Sequence, residues 1–249
     1  IDENILFARE AFSAWGETRA LPGRAITREA AREADWLLIR SVTRVDADLL
    51  EGSRVRFVAT ATAGVDHVDV DYLRRRGIAF AHAPGSNADA VADYVVAALV
   101  RQARRENSPL QGRALGVIGF GEVGSRVASR ARSLGMRILA NDPPLARSTG
   151  HPRFRPLRDV LAAADGVTLH VPLIDRGPGA TRGMAGEEFF ERMRPGALFI
   201  NASRGDVVEE SALSRALDTG RARAAILDVW AGEPLPDPAL VRRALFATP

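Results

Sequence analysis

The 249-residue chain contains no cysteine and no lysine; all 34 of its basic side chains are arginine. Without cysteine there is no disulfide, no thiolate zinc site and no cysteine nucleophile. Without lysine there is no Schiff-base amine and no P-loop lysine. No run of eighteen apolar residues occurs and no charged-then-apolar leader precedes the first strand. No membrane partner is therefore expected, and a cytoplasmic protein is the expectation. The four histidines (His67, His82, His151, His170) are scattered without metal-ligand spacing, so no metal is expected. A net charge of +3 beside 31 acids is mild, and Arg74-Arg75-Arg76 is the tightest basic run. It ends a predicted helix before Gly77, where cations suit the helix dipole and solvent, and no nucleic-acid partner is expected.

What the chain does have is a glycine turn in a specific setting. Gly119-Phe120-Gly121-Glu122-Val123-Gly124 follows an apolar strand, Leu115 to Ile118, and precedes a helical stretch, Ser125 to Leu134. The first glycine permits the tight turn, the second lets backbone approach a pyrophosphate, and the third lets helix and strand pack closely. The helix N-terminus offers N–H groups and partial positive charge to the phosphates. A second strand, Arg137 to Asn141, delivers Asp142 eighteen residues past Gly124. A carboxylate there can accept from a ribose 2′-OH and repels a 2′-phosphate, which points to NAD.

A hydrophobic content of 46% over this length can bury the cores of two domains. The first ninety residues repeat strand and helix. Apolar runs at Trp36–Ile39, Val55–Ala59 and Ile78–Phe80 each end in small or polar residues, as buried parallel strands do. A long helix over Ala88–Arg105 leads into the glycine unit, and further strands are predicted at 166–169, 197–200 and 224–227. The expected class is α/β: two Rossmann-like or flavodoxin-like domains with parallel sheets, spanning residues 1–90 and 91–249. Both ends look cut, so a C-terminal portion is expected to be missing.

Three more segments follow predicted strand ends, where ligands bind in open sheets. Arg204 lies in Asn201-Ala202-Ser203-Arg204-Gly205, and its planar guanidinium could clamp a carboxylate or carbonyl with two bonds. It could equally be a surface arginine of a loop. Glu233 closes Asp228-Val229-Trp230-Ala231-Gly232-Glu233, where a carboxylate could orient a histidine or simply cap a turn before Pro234. His170-Val171-Pro172-Leu173 ends a third strand, with Pro172 as rigid apolar surface for a cofactor and His170 as a packed histidine.

In this order after the glycine turn, these segments resemble the D-isomer-specific 2-hydroxyacid dehydrogenases, over essentially the whole chain. A branch of that family acting on a phosphorylated 2-hydroxy acid in pyridoxine biosynthesis is indicated by four features. They are Arg40-Ser41-Val42-Thr43-Arg44-Val45, the stretch Ala59 to Asp69, Asp142-Pro143-Pro144, and Pro172-Leu173 with Gly177-Pro178 and Thr181. The resemblance implies that Arg204 and Glu233 are catalytic, and that Ser41, Thr62 and Arg40 contact the substrate, Arg40 at its phosphate. It implies NAD bound by Gly119, Gly121, Glu122, Val123, Gly124, Asp142, Val171, Pro172, Ala202 and Asp228. Val171 stands where the branch often has threonine. The family's catalytic histidine is expected in a His-Ile-Ala-Gly segment after Pro249, together with closing helices and a dimerisation domain that make a homodimer. Two other functions remain open: a sibling dehydrogenase acting on phosphoglycerate or glyoxylate-type substrates, and an NAD-sensing, corepressor-like binding protein.

Overall fold

A computed structural model describes residues 1–233 and 235–247. The chain divides into two compact units, residues 1–87 and 88–249. The expected boundary after residue 90 would have cut the first turn of the helix Ala88–Arg105, which belongs whole to the second unit.

In the first unit, β1 (Trp36–Ile39), β2 (Phe57–Thr60) and β3 (Ala79–His82) form a parallel sheet in that order. Beyond β1, the Asp2 amide donates to the Leu38 carbonyl at 2.8 Å, and Asp2 bridges in parallel to Leu21. The spatial order Leu21, Asp2, β1, β2, β3 is the flavodoxin-like 2-1-3-4-5 arrangement. Strand β2 starts two residues later than the apolar run does, because Trp36 pairs with Phe57 and the ladder then runs on to Ile39 against Thr60. Val55 is instead buried in the unit's core with Leu37, Ile39, Leu50, Val58 and Leu73. The helix Val70–Arg75 begins at Asp69, whose side chain accepts from the Tyr72 amide at 2.8 Å. That bond satisfies one of the open N–H groups of a first turn.

The second unit holds six parallel strands in the order β5-β4-β6-β7-β8-β9. They are β4 (Ala114–Ile118), β5 (Arg137–Asn141), β6 (Gly166–Leu169), β7 (Ala197–Asn201), β8 (Ala222–Leu227) and β9 (Phe246–Ala247). Outside β5, Phe154 makes a single parallel bridge to Ala140. Counting that bridge as a residual strand gives the Rossmann order, reversing between β4 and β6, where such sheets bind dinucleotides.

Side chains alternate across these strands and both faces are covered, which is why the strands read as continuous apolar runs. Leu115, Val117, Leu198, Ile200 and Ile226 pack on one face against Val95, Leu99, Val127 and Ala131 of two helices. Ile118, Leu169, Phe199 and Leu227 face the opposite way, towards Leu161, Phe189, Phe190 and Leu213. Phe199 is fully buried, edge-on to Phe190 and Phe189 at 5.1 and 6.1 Å. Burial of such a ring contributes about 1.5–3 kcal/mol.

Candidate active site

Strand β4 ends at Ile118, and the chain turns at Gly119 with φ +85. A Cβ at Gly119 would overlap the His170 carbonyl and meet Val171 Cγ1 at 3.0 Å. Glycine is therefore required twice over, by conformation and by space. The helix starts at Glu122, three residues earlier than its apolar pattern suggests, so Gly124 lies in its first turn. A Cβ at Gly124 would run into the Gly119 carbonyl, whereas one at Gly121 would meet nothing within 4 Å. The first and third glycines are thus filled in by the protein itself, and the second faces open space. The first amides of the helix Glu122–Ser133, those of Glu122 and Val123 among them, have no carbonyl one turn earlier within it. Open space beside such amides fits a diphosphate.

Asp142 follows β5 and caps the helix Pro143–Thr149, its Oδ1 accepting from the Leu145 amide at 2.9 Å. Its Oδ2 accepts from the Phe120 amide at 2.8 Å. Sequence reasoning gave this carboxylate a ribose; the fold also uses it to hold the glycine turn to the neighbouring strand end. Each oxygen retains one lone pair for a ligand hydroxyl.

Beyond β6, Val171 touches the glycine turn, and the Pro172 carbonyl accepts from the Thr181 hydroxyl at 2.5 Å. The same hydroxyl oxygen accepts from the Ile174 amide at 2.8 Å, so Thr181 pins the Pro172 segment. His170 Nε2 bonds the buried Thr168 hydroxyl at 3.0 Å, while Nδ1 has no hydrogen-bond partner among the described residues. Burial pushes the His170 imidazole down to about 3, so it is neutral at physiological pH.

Strand β7 delivers Arg204 on a turn closed by Asn201. Asn201 Oδ1 accepts from the Ser203 amide at 3.1 Å and the Ser203 hydroxyl at 2.8 Å, and its Nδ2 donates to the Arg204 carbonyl at 2.9 Å. Arg204 Nη1 donates to the Ser203 carbonyl at 2.8 Å. Ala202 lies inside the same turn, and the Asp228 amide donates to the Asn201 carbonyl at 3.0 Å, joining the ends of β7 and β8. Past β8, Glu233 Oε1 accepts from the Trp230 amide at 2.9 Å, and Glu210 Oε1 accepts from the Ala231 amide at 3.0 Å. Glu233 thus caps its turn through the bond from Trp230. Burial raises the Glu210 carboxyl above its ordinary value; the Ala231 amide opposes this, and Asp237 and Asp206 add to it. Residues of the second unit named from sequence thus follow the ends of β5, β4, β6, β7 and β8, strands that lie side by side.

In the first unit, Arg40 and exposed Ser41 follow β1, and Thr62 follows its neighbour β2. The Thr62 hydroxyl donates to the Gly64 carbonyl at 3.1 Å and lies 2.7 Å from the Thr60 hydroxyl, itself 3.0 Å from His67 Nε2. Thr60 and His67 entered the sequence reading within the stretch Ala59 to Asp69, with no site role assigned to either. His82 Nδ1 lies 3.3 Å from the Ala63 carbonyl, and His151 Nδ1 accepts from the Arg153 amide at 3.1 Å. Among the described residues no group of three or more potential metal ligands converges. None of their helices is long and apolar enough to cross a membrane.

Residues 80–249 match the family described as "D-isomer specific 2-hydroxyacid dehydrogenase, NAD binding domain". Over its whole length the chain is 52% identical to the erythronate-4-phosphate dehydrogenase of Salinibacter ruber and 51% identical to that of Azotobacter vinelandii. It spans 64% and 65% of the length of these two relatives. Among solved structures, a Thermus thermophilus protein superposes with a TM-score of 0.82 at 30% identity, covering 97% of this chain and 85% of that one. The D-lactate dehydrogenase of Aquifex aeolicus, solved with NAD and lactic acid, gives 0.76 at 27% identity, covering 93% and 75%.

Proposed function

The chain belongs to the D-isomer specific 2-hydroxyacid dehydrogenase family, and on that footing we propose that it oxidises 4-phospho-D-erythronate at C2 to the 2-oxo acid. The matched region is the family's NAD binding domain, and NAD when bound supplies the nicotinamide carbon that takes the C2 hydrogen as hydride. The glycine turn and the first amides of the helix Glu122–Ser133 hold the diphosphate, with Asp142 at the adenosine ribose. Val171, Pro172, Ala202 and Asp228 line the rest of the cofactor's path. Arg204 clamps the substrate carboxylate and carbonyl oxygen through its planar fork. Glu233 orients an imidazole that receives the C2 hydroxyl proton and stabilises it once charged.

The observation carrying the substrate choice is the placement of Arg40 and Ser41 beyond β1, beside Thr62 beyond the adjacent β2. A guanidinium and hydroxyls at neighbouring strand ends suit a phosphate dianion. The names of the relatives support the same choice. In this reading the protein works in pyridoxine biosynthesis as a cytoplasmic homodimer, an assembly that sedimentation equilibrium would check.

Turnover on 4-phospho-D-erythronate, unphosphorylated D-erythronate and 3-phospho-D-glycerate tests the proposal. The phosphorylated erythronate should win. Arg40→Ala should raise its KM about tenfold or more, from loss of a charge-assisted bond, and leave the unphosphorylated acid nearly unchanged. Equal losses on both acids would move the phosphate elsewhere, and a preference for phosphoglycerate would favour a sibling dehydrogenase.

A further inference from the structure

Arg204 can position a carboxylate only if its own turn is rigid, and that turn is held from two sides. On one side is Asn201, 1% exposed at the end of β7. Its three hydrogen bonds to Ser203 and Arg204 close the turn from Asn201 to Arg204. They use both carbonyl lone pairs and one of its two N–H donors. Ionised aspartate offers no donor, and serine places its donor and both lone pairs on a single atom, whereas Asn201 accepts at Oδ1 and donates from Nδ2. On the other side is Gly205, where a Cβ would overlap the Trp230 carbonyl and the Ala231 nitrogen. The Trp230 amide in turn donates to Glu233. The Arg204 and Glu233 turns therefore meet at one backbone-to-backbone contact.

We propose that Asn201 is a positioning residue that acts through Arg204, and that Gly205 couples the Arg204 turn to the Glu233 turn. This rests on the dehydrogenase reading of Arg204, though not on which acid is the substrate. Asn201 reaches no reacting atom itself; it fixes the backbone from which the guanidinium extends. Removing it frees the turn and takes away the oxygen that accepts from the buried Ser203 amide and hydroxyl, so some thermal stability is lost as well. The proposal is specific in that the functional loss passes through Arg204.

A double-mutant cycle separates this from a general structural defect. Asn201→Ala is made in the parent and in Arg204→Lys, and each protein is assayed below its unfolding temperature. The readouts are NAD affinity, affinity of the NAD complex for oxalate, and kcat with KM. Oxalate carries the carboxylate common to all 2-oxo acids, so its binding reports on Arg204 even if 4-phospho-D-erythronate proves to be the wrong substrate. Asn201→Ala should weaken oxalate binding about tenfold or more and lower kcat, with NAD affinity within about threefold of the parent. In Arg204→Lys the same change should cost less than about threefold further. If Asn201→Ala fails to fold, Asn201→Asp keeps the volume and both bonds from Ser203. It sets a charged carboxylate oxygen against the Arg204 carbonyl in place of the donor, and its losses are read in the same cycle against Arg204→Lys. Equal losses in the two backgrounds, or NAD binding weakened as much as oxalate binding, would overturn the proposal. The coupling is read from Glu233→Ala, which removes the acceptor of the Trp230 amide, made in the parent and in Asn201→Ala: unequal losses of oxalate affinity support it, and equal losses would sink it.

Discussion

The Asp142 carboxylate accepts from the Phe120 amide at 2.8 Å, tying the end of β5 to the glycine turn at the end of β4. The residue expected to choose the cofactor thus also holds the loop proposed to receive its phosphates.

Asp142→Asn should therefore not be silent. An amide side chain can still bond a ribose hydroxyl, but only its oxygen can accept from the Phe120 and Leu145 amides. NAD affinity should fall about tenfold, near 1.4 kcal/mol. Asp142→Ala should in addition erode the preference for NAD over NADP by at least about tenfold, through loss of the charge that repels a 2′-phosphate. Calorimetric titration with both cofactors reads each effect. Unchanged NAD binding in Asp142→Asn would show that the Phe120 bond is dispensable.

Two glycines of one motif should respond in opposite ways. Gly119→Ala meets both a left-handed φ of +85 and the His170 carbonyl, so it should unfold or strongly destabilise the second unit. Gly121 has φ −73 and open space around its missing Cβ. Gly121→Ala should keep the melting temperature and lose NAD affinity, because the new methyl occupies the diphosphate's path. A Gly121→Ala protein that binds NAD normally would remove the diphosphate from that position.

Arg204→Lys should reduce kcat/KM by about a hundredfold while leaving NAD affinity within about threefold, because the charge stays and the planar fork is lost. Steady-state kinetics beside NAD titration separates the two. Activity within about threefold of the parent would reduce Arg204 to an ordinary surface arginine.

His170 makes stability depend on pH. Its imidazole is held neutral in the folded protein, with a value of about 3 against the ordinary 6.5, so it gains a proton on unfolding between those two values. Its contribution is complete above about pH 6.5 and falls as pH drops towards about 3, by roughly 1.4 kcal/mol per pH unit. Between pH 6.5 and 5 the parent should lose about 2 kcal/mol more than His170→Gln does in urea unfolding. Parallel pH profiles would show that His170 protonates freely in the fold.

Much of the second unit was legible because its signals are local and mutually consistent. The glycine spacing, two flanking apolar runs and an acid at the right distance each demand the same strand–turn–helix–strand. Arg204 and Glu233 could be named as candidates because they sit in loops just past buried strands. Asn201 and Thr181 stood in segments read from the sequence, but their part in holding the turns did not show, because it lies in bonds to backbone atoms that only the closed turns bring near. The Phe154 bridge was hidden for a related reason: one residue of pairing leaves no periodicity to read. Val55 shows the converse, an apolar residue that looked like the start of a strand and is core packing before it.

The contact between Gly124 and the Gly119 carbonyl has a consequence for how such a protein can change over generations. Any side chain at either position must displace backbone as the turn stands, so a replacement there carries a cost that one in the segment after Asp142 does not. Asp142 is half-buried, and Pro143, Pro144 and Arg147 after it are exposed, with room to vary. A descendant that came to use a different dinucleotide would inherit the turn unaltered and carry its substitutions in the segment beginning at Asp142.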